Sequence, residues 1–285
     1  MTTPTVDRMF APPIELVPAR SPRGASLVAF RALLARDLTV TRKHLSEVVP
    51  RTLLQPLLLM FVFTYVFPKI GQGVGGSGQA VAGFSTLLVA GVVGLSIIFQ
   101  GIQSVAIPMV QEFGYTREIE DRVQAPLPVS LVAFEKIVAG AVISFFSAVV
   151  VFPIAAVVPS TPVNLEIDWP VLICLMPLTC LMAGALGLTF GTRFEPRTVP
   201  ILFGVIVLPL TFLGAIYYSW AALEPIEWLK IAVLVNPLVY TSEGFRAALT
   251  PAQHMSLWAI FGALTAFTVL FTALGVAGFK RRVLS

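Results

Sequence analysis

The sequence predicts an all-α integral membrane protein with six transmembrane helices and both termini in the cytoplasm. Of its 285 residues, 56% are hydrophobic and 12% are charged, which leaves too little polar surface to cover a soluble globule of this length. Sixteen of the 19 Lys and Arg residues lie in the two terminal segments and in every second loop between the apolar stretches. Because basic residues that flank a span remain cytoplasmic, this alternation predicts both the number of crossings and their direction.

The six spans follow from the lengths of the apolar stretches. We place them at about 53–67, 81–110, 137–158, 170–190, 199–219 and 257–279, within a transmembrane domain covering residues 50–285. About 20 helical residues cross a bilayer core, so the first span is short, and the second is long enough to tilt or to project beyond the membrane.

None of these six spans contains an Asp, Glu, Lys, Arg or His. Ion-coupled carriers usually bury an ionisable group at membrane depth, and intramembrane enzymes need a nucleophile with a base, or a metal. The pattern therefore argues against both classes, and we expect no catalytic residue, no metal site and no enzymatic activity in this chain. The positive net charge of +4 is typical of contact with anionic membrane lipid, so we expect no nucleic acid partner.

The N-terminal part divides into two segments. Residues 1–24 hold five prolines and interspersed charge, which is typical of a disordered cytoplasmic tail. Residues 25–49 place apolar side chains at helical spacing, with basic side chains such as Arg31 and Arg36 beside or opposite them. This pattern predicts an amphipathic helix in the plane of the membrane surface. The helix is either a lipid anchor alone or also a platform for a cytoplasmic partner.

The inner loop 111–136 carries a dense cluster of mixed charge between the second and third spans. Arg117 and Asp121, and Glu118 and Arg122, are four residues apart, which suits a short exposed helix. Such a helix is either simply solvated or a docking element beneath the membrane.

The outer stretch 220–256 is too apolar for a free loop. Asn236 followed by Pro237 is a helix-start signal, with Asn236 as the N-cap. Glu243 and Arg246 follow three residues apart in the same predicted helix. Two short helices that re-enter the outer leaflet, or an interfacial hairpin on its surface, both fit this composition.

Two segments resemble the type 2 permease family of ATP-binding-cassette exporters, and the order of elements from residue 25 onward is also similar to that family. The segments are EFGYTREIEDRVQAPLPVSLVAFEKIVAG and FLGAIYYSWAALEPIEWLKIAVLVNPLVYTSEGFRAAL. The family often shows several charged pairs before its loop glycine, whereas here only Glu112 precedes Gly114. The resemblance therefore does not fix the register of the docking helix.

The resemblance implies a permease subunit in the inner membrane that acts with two copies of an ATPase subunit and with a second permease copy or close homologue. ATP and Mg would bind the ATPase, and this chain would hold no cofactor; its glycine-rich run GQGVGGSG lacks the Gly-Lys-Ser/Thr of a phosphate-binding loop. The implied cargo is an amphipathic or hydrophobic drug-like or lipid-like molecule. A lipid-linked polysaccharide or lipo-oligosaccharide is the alternative cargo, and an ion-coupled secondary carrier is the rival class.

Three groups of candidate residues follow from the motifs and the resemblance. The ATPase-coupling candidates are Glu112, Tyr115, Arg117, Glu118, Ile119, Glu120, Arg122, Arg31 and Arg36. The candidates for the substrate path, of which the three aromatic residues rest on the resemblance alone, are Gln100, Gln103, Ser104, Phe212, Tyr217 and Tyr218. The outer-gate candidates are Trp220, Trp228, Asn236, Pro237, Tyr240, Glu243 and Arg246. For Gln100, Gln103 and Ser104 the other interpretation is hydrogen bonding between helices.

Overall fold

The described part of the chain is built from helices. A computed structural model describes residues 22–44, 50, 54, 56–70, 78–114, 118–159, 163–194, 205 and 208–284. The α-helices within these ranges are α1 (Pro22–Lys43), α2 (Pro56–Lys69), α3 (Gly78–Gly114), α4 (Glu118–Val123), α5 (Val129–Val157), α6 (Trp169–Arg193), α7 (Leu208–Phe212), α8 (Glu227–Ala232), α9 (Pro237–Leu249) and α10 (Leu257–Leu284). Helix α2 contains a π-helical turn at Val62–Val66, and 3₁₀ turns at Trp220–Leu223 and Val233–Val235 flank α8.

Four of these helices, α3, α5, α6 and α10, are long and apolar enough to cross a membrane, and α2 is a shorter apolar helix. The four long helices cover four of the six predicted spans. For the predicted span 199–219 the structure differs: α7 ends at Phe212, and the chain then turns through Ala215, whose φ is 54°. The predicted helical end at Ser219 is therefore wrong. Residues 199–204, 206 and 207 lie outside the described part, so the six-span topology stays a prediction.

Helices α3, α6 and α10 run in one direction, and α5 runs in the opposite direction. At one end, the Asn164 amide donates to Thr86 Oγ1 near the start of α3, and the Asp168 amide donates to the Ala248 carbonyl. At the other end, Lys136 of α5 binds Glu112 of α3. Arg282, near the end of α10, donates to the carbonyls of Gly191 and Phe194 at the end of α6, so these two helices run in parallel. These relative directions agree with those predicted for the second, third, fourth and sixth spans. The basic residues predict that the end with Lys136 faces the cytoplasm, and we call it the cytoplasmic end and the opposite end the outer end.

Helix α3 forms the centre of the bundle and packs against α5, α6 and α9. Glycines allow the closest approaches. A Cβ added at Gly101 would lie 2.4 Å from the Cβ of Ala183, and one at Gly187 would lie 2.5 Å from the Gly101 carbonyl oxygen. Small residues let helix backbones approach closely in a membrane, where the hydrophobic effect drives no association. A larger side chain at Gly101 would separate α3 from α6.

Helix α1 begins at Pro22, so residues 22–24 are helical rather than part of the predicted tail, and residues 1–21 lie outside the described part. The helix ends at Lys43, and residues 45–49 of the predicted helix lie outside the described part. Phe30 packs against the apolar cluster around Ile119, and Ser26 Oγ donates to the Pro126 carbonyl at 3.0 Å. The helix therefore rests on the inner loop as well as on α5.

Candidate functional site

Four charged side chains from four helices form a cluster at the cytoplasmic end of the bundle. Arg122 Nη2 lies 2.7 Å from Asp37 Oδ1 and 3.0 Å from Glu112 Oε1. Lys136 Nζ lies 2.8 Å from Asp37 Oδ2 and 2.6 Å from Glu112 Oε1. Each cation thus contacts both carboxylates. The cluster joins α1, α3, α4 and α5 through side chains that are between 4% and 15% exposed.

Asp37 and Arg122 keep their charges at neutral pH. Burial alone would raise the pKa of Asp37, but the nearby Lys136 and Arg122 outweigh it and lower the pKa. Burial alone would lower the pKa of Arg122, but Asp37 and Glu112 outweigh it and raise the pKa. Removing one member of such a buried set leaves an uncompensated charge, which costs about 3–5 kcal/mol. The cluster therefore fixes the inner loop against the interfacial helix and two long helices.

A third carboxylate, Glu135, lies near the same cluster. It is fully buried, and neither carboxylate oxygen has a hydrogen-bond partner in the structure. Neither Glu135 nor its neighbour Lys136 is among the predicted site residues, because the third span is predicted to begin at residue 137, and Asp37 is not among them either. The signal that points to them is the adjacent acid and base at the edge of an apolar span, together with an acidic residue in the middle of a basic helix.

The coupling candidates divide by exposure. Glu118 pairs with Arg36 at 2.7 Å, with side chains 42% and 47% exposed, and Arg31 is also exposed. Glu112, Ile119 and Arg122 are buried within the subunit. The i,i+4 pairing of Glu118 with Arg122 suggested by their spacing is replaced by these other pairs. Helix α4 is therefore only partly exposed, because its Arg122 and Ile119 hold it to the bundle.

Tyr115 and Arg117 lie outside the described residues, and the side chain of Glu120 is not described. Of the described coupling candidates, Arg31, Arg36 and Glu118 are thus the ones whose side chains are accessible from outside the subunit.

Helix α9 begins as the sequence predicts. Asn236 Oδ1 accepts a hydrogen bond from the Leu238 amide at 2.9 Å, and Pro237 occupies the first turn. This confirms the N-cap. Asn236 Nδ2 also donates to the Leu210 carbonyl at 2.8 Å, which ties the helix start to α7.

Glu243 and Arg246 form a fully buried ion pair in α9. Glu243 accepts hydrogen bonds from the amides of Trp220 and Met255, each at 2.8 Å. Arg246 Nη2 donates to the carbonyl of Ala215 at 2.9 Å, and at 3.3 Å to that of Tyr218. The pair therefore connects α9 to the turn after α7, to the following 3₁₀ turn and to the segment before α10. We call Glu243 and Arg246 the outer clasp.

The other outer-gate candidates surround this clasp or face outward. Trp220 Nε1 donates to the Lys230 carbonyl at 3.1 Å, and the Lys230 ammonium lies 4.6 Å from the Trp220 ring centroid. Tyr240 donates through its hydroxyl to the Leu234 carbonyl at 3.1 Å. Trp228 is 71% exposed. An exposed tryptophan at this position suits the membrane–water interface.

The substrate-path candidates form two separate groups. Gln100 is buried in α3, and Gln103 and Ser104 are half-buried towards its cytoplasmic end. At the outer end, the Tyr217 ring lies 5.9 Å from that of Phe212 and 5.4 Å from that of Phe63, and the Tyr218 hydroxyl donates to the Phe212 carbonyl.

Phe63 also contacts Phe84 of α3, 20 residues before Ser104. Ile216, next to Tyr217, lies against Gly91 of α3. At 1.5 Å per residue, Gln100 is about 14 Å further along the helix and Ser104 about 20 Å. Within one subunit the described residues do not bring the two groups together. Among the described residues, no three His, Cys, Asp or Glu side chains are grouped so as to hold a metal ion.

Comparison with known proteins agrees with this architecture. Residues 28–250 match the family model of the ABC-2 type transporter. The protein named inner membrane transport permease YadH, from Escherichia coli K12, is 26% identical over 249 residues, which cover 86% of this chain and 91% of YadH. YadH of Shigella flexneri is similar to the same extent. With most of its length matching the family model and several helices able to span a bilayer, this multi-pass membrane protein belongs to the ABC-2 type transporter family.

Proposed function

We propose that this chain is the transmembrane subunit of an ATP-binding-cassette exporter in the inner membrane. Two permease copies would act with two ATPase subunits, which bind and hydrolyse ATP with Mg. The cargo would be an amphipathic or hydrophobic molecule, such as a drug or a lipid, moved outward. The support is family membership, the inner-membrane naming of a relative, and the two motif segments described above.

The observation that carries this proposal is the cytoplasmic cluster of Asp37, Glu112, Arg122 and Lys136. An ATPase that pushes on the exposed side of α4 would move Arg122, which is bound to both α1 and α3. Lys136 would carry the same displacement into α5. Because burial makes these contacts costly to break, the inner loop and three helices would move together. The cluster is thus suited to transmit movement from a cytoplasmic motor into the membrane.

The outer clasp would act at the outer end of the bundle. Helix α9 and the segments it holds would form a closure above the path, since the clasp joins three neighbouring stretches of the chain. The cargo would leave when this unit moves away as one body. The six predicted spans contain no charged residue, which favours cargo held by packing and neutral hydrogen bonds. A lipid-linked polysaccharide remains the alternative cargo.

The test is reconstitution of the permease with its ATPase in vesicles, with ATP hydrolysis and outward transport measured together. We expect Glu118→Lys to reverse the charge at the exposed docking side, to lower complex recovery and to reduce transport per ATP hydrolysed. Glu166→Lys is the matched control, because Glu166 is an exposed acid in the outer loop. Transport that persists without the ATPase and collapses with an uncoupler would show a secondary carrier instead. Full coupling in Glu118→Lys would remove α4 from the mechanism.

A further inference from the structure

A cavity of about 250 Å³ opens between α1, α3, α4 and α5 at the cytoplasmic side of the bundle. Its wall changes in character along the helix axes. Glu112 and Lys136 line it at the cytoplasmic level, and Ser104 and Ile143 line it deeper in the membrane. Glu112 and Ser104 are eight residues apart on α3, which is about 12 Å at 1.5 Å per residue. The cavity is therefore charged at the surface and nearly apolar below it.

This gradient matches the layers of one membrane leaflet. The head-group region adds about 5–7 Å on each side of a hydrocarbon core about 30 Å thick. A cavity about 12 Å long thus spans the head-group layer and the first part of the acyl region. A lipid would enter it with its head at the charged end and its chains towards the bundle exterior.

The charges of the wall select the kind of head group. Three cations line the cavity, and so do three carboxylates. The cations are Arg36, Arg122 and Lys136, and the carboxylates are Asp37, Glu112 and Glu118. With no net charge, the wall favours a zwitterion over an anion.

Among the ion pairs of the cavity wall, the pair of Arg36 and Glu118 is the one whose side chains can exchange each other for new partners. Both side chains are more than 40% exposed, and such pairs contribute only about 0–1 kcal/mol. A phosphate can therefore replace Glu118 at the guanidinium, and an ammonium can replace Arg36 at the carboxylate, with little cost.

We propose that this cavity binds one inner-leaflet phospholipid with a zwitterionic ethanolamine head group. Its phosphate contacts Arg36, its ammonium contacts Glu118, and its glycerol region lies towards Ser104. The bound lipid fills the space between the interfacial helix and the long helices. It therefore stabilises α1 in the position from which Asp37 reaches the cytoplasmic cluster.

The test measures lipid bound to the purified chain without ATPase or ATP, so it does not depend on the proposed function. The permease is equilibrated with mixed vesicles of phosphatidylethanolamine and phosphatidylglycerol, extracted in detergent, and analysed by native mass spectrometry. We expect one retained phosphatidylethanolamine per chain. Arg36→Gln removes a charge-assisted hydrogen bond and should weaken retention about ten-fold. Ser104→Leu should abolish it by filling the deep end, and Arg42→Gln, an exposed arginine of the same helix, should retain it.

Retention of phosphatidylethanolamine by Arg36→Gln at the wild-type level would overturn the proposal, because the lipid would then lie elsewhere. Preference of the wild-type chain for phosphatidylglycerol would overturn the charge argument. Displacement of the lipid by exported cargo would assign the cavity to cargo instead. Since Arg36 is exposed, its replacement leaves the fold intact, so this arm decides the question even if Ser104→Leu fails to fold.

Discussion

Asp37 is expected to be the side chain on which the cytoplasmic cluster depends most. Its two carboxylate oxygens bind two different cations at 2.7 and 2.8 Å. At an effective dielectric constant of 20, each contact has a Coulomb energy of about 6 kcal/mol. Desolvation offsets much of this, so Asp37→Asn should destabilise the protein by about 3–5 kcal/mol, the usual cost of breaking a buried pair. Two cations would then share Glu112 alone.

The assay is unfolding of the purified permease in detergent, followed by circular dichroism. Asp121→Asn is the matched control, because Asp121 is an exposed carboxylate of the neighbouring α4, and its loss should change the unfolding free energy by about 0.5 kcal/mol or less. In a double-mutant cycle, Lys136→Met should cost less in the Asp37→Asn background than in wild type. Equal losses for Asp37→Asn and Asp121→Asn would refute the argument.

The pH dependence gives a second check on Asp37. The pKa of this carboxyl is lowered in the folded protein, below its unfolded value of about 3.9. Its stabilisation is therefore fully present above that value and is lost as the pH falls through the folded pKa. The stability lost in Asp37→Asn should therefore become smaller as the pH falls below about 4. A loss that stays the same below that pH would contradict the assigned ion pairs.

Three further outcomes are expected. Gly101→Leu should prevent assembly of the bundle, because the added Cβ would meet Ala183 at 2.4 Å. Gly83→Leu should be tolerated, since nothing lies within 4 Å of a Cβ there. Normal recovery of Gly101→Leu would contradict the packing. Asn236→Leu should keep ATPase stimulation but sharply reduce export, and normal export would make the outer segment a passive anchor. In a cysteine-free background, an impermeant thiol reagent should label Thr161→Cys from outside and Arg281→Cys only from inside; the reverse would overturn the topology.

Much of the site could be predicted from short-range sequence signals. The N-cap at Asn236 was predictable because a capping side chain and its amide are two residues apart, and the structure has that bond. The separation of Glu243 and Arg246 by three residues predicted their contact for the same reason. Neither pattern could show that the clasp also binds the Trp220 and Met255 amides and the Ala215 carbonyl, since those partners lie up to 31 residues away.

The sequence was less informative where one charged side chain has several possible ion-pair partners. The spacing of Glu118 and Arg122 favoured a local pair, but Arg122 instead binds Asp37, 85 residues earlier in the chain. Burial decides this outcome, because a cation removed from water must be paired with a negative charge. Helices α1 and α3 each supply a carboxylate that contacts Arg122. The turn at Ala215 was also hidden, since the apolar pattern continues through it. An apolar sequence indicates that a segment lies in the membrane, but it does not show whether the backbone of that segment is helical.

The sequence by itself determined the membrane class, the four long helices and their relative directions, the start of α9 and the family. These properties depend on apolar length, the distribution of basic residues and contacts within one helical turn, all of which are local along the chain. Only the tertiary structure decided which charges are buried together, that Asp37, Glu135 and Lys136 lie with the predicted residues, and that the path candidates separate into two groups. Those arrangements depend on which segments far apart in sequence pack together, and glycine contacts set how closely α3, α5 and α6 approach one another.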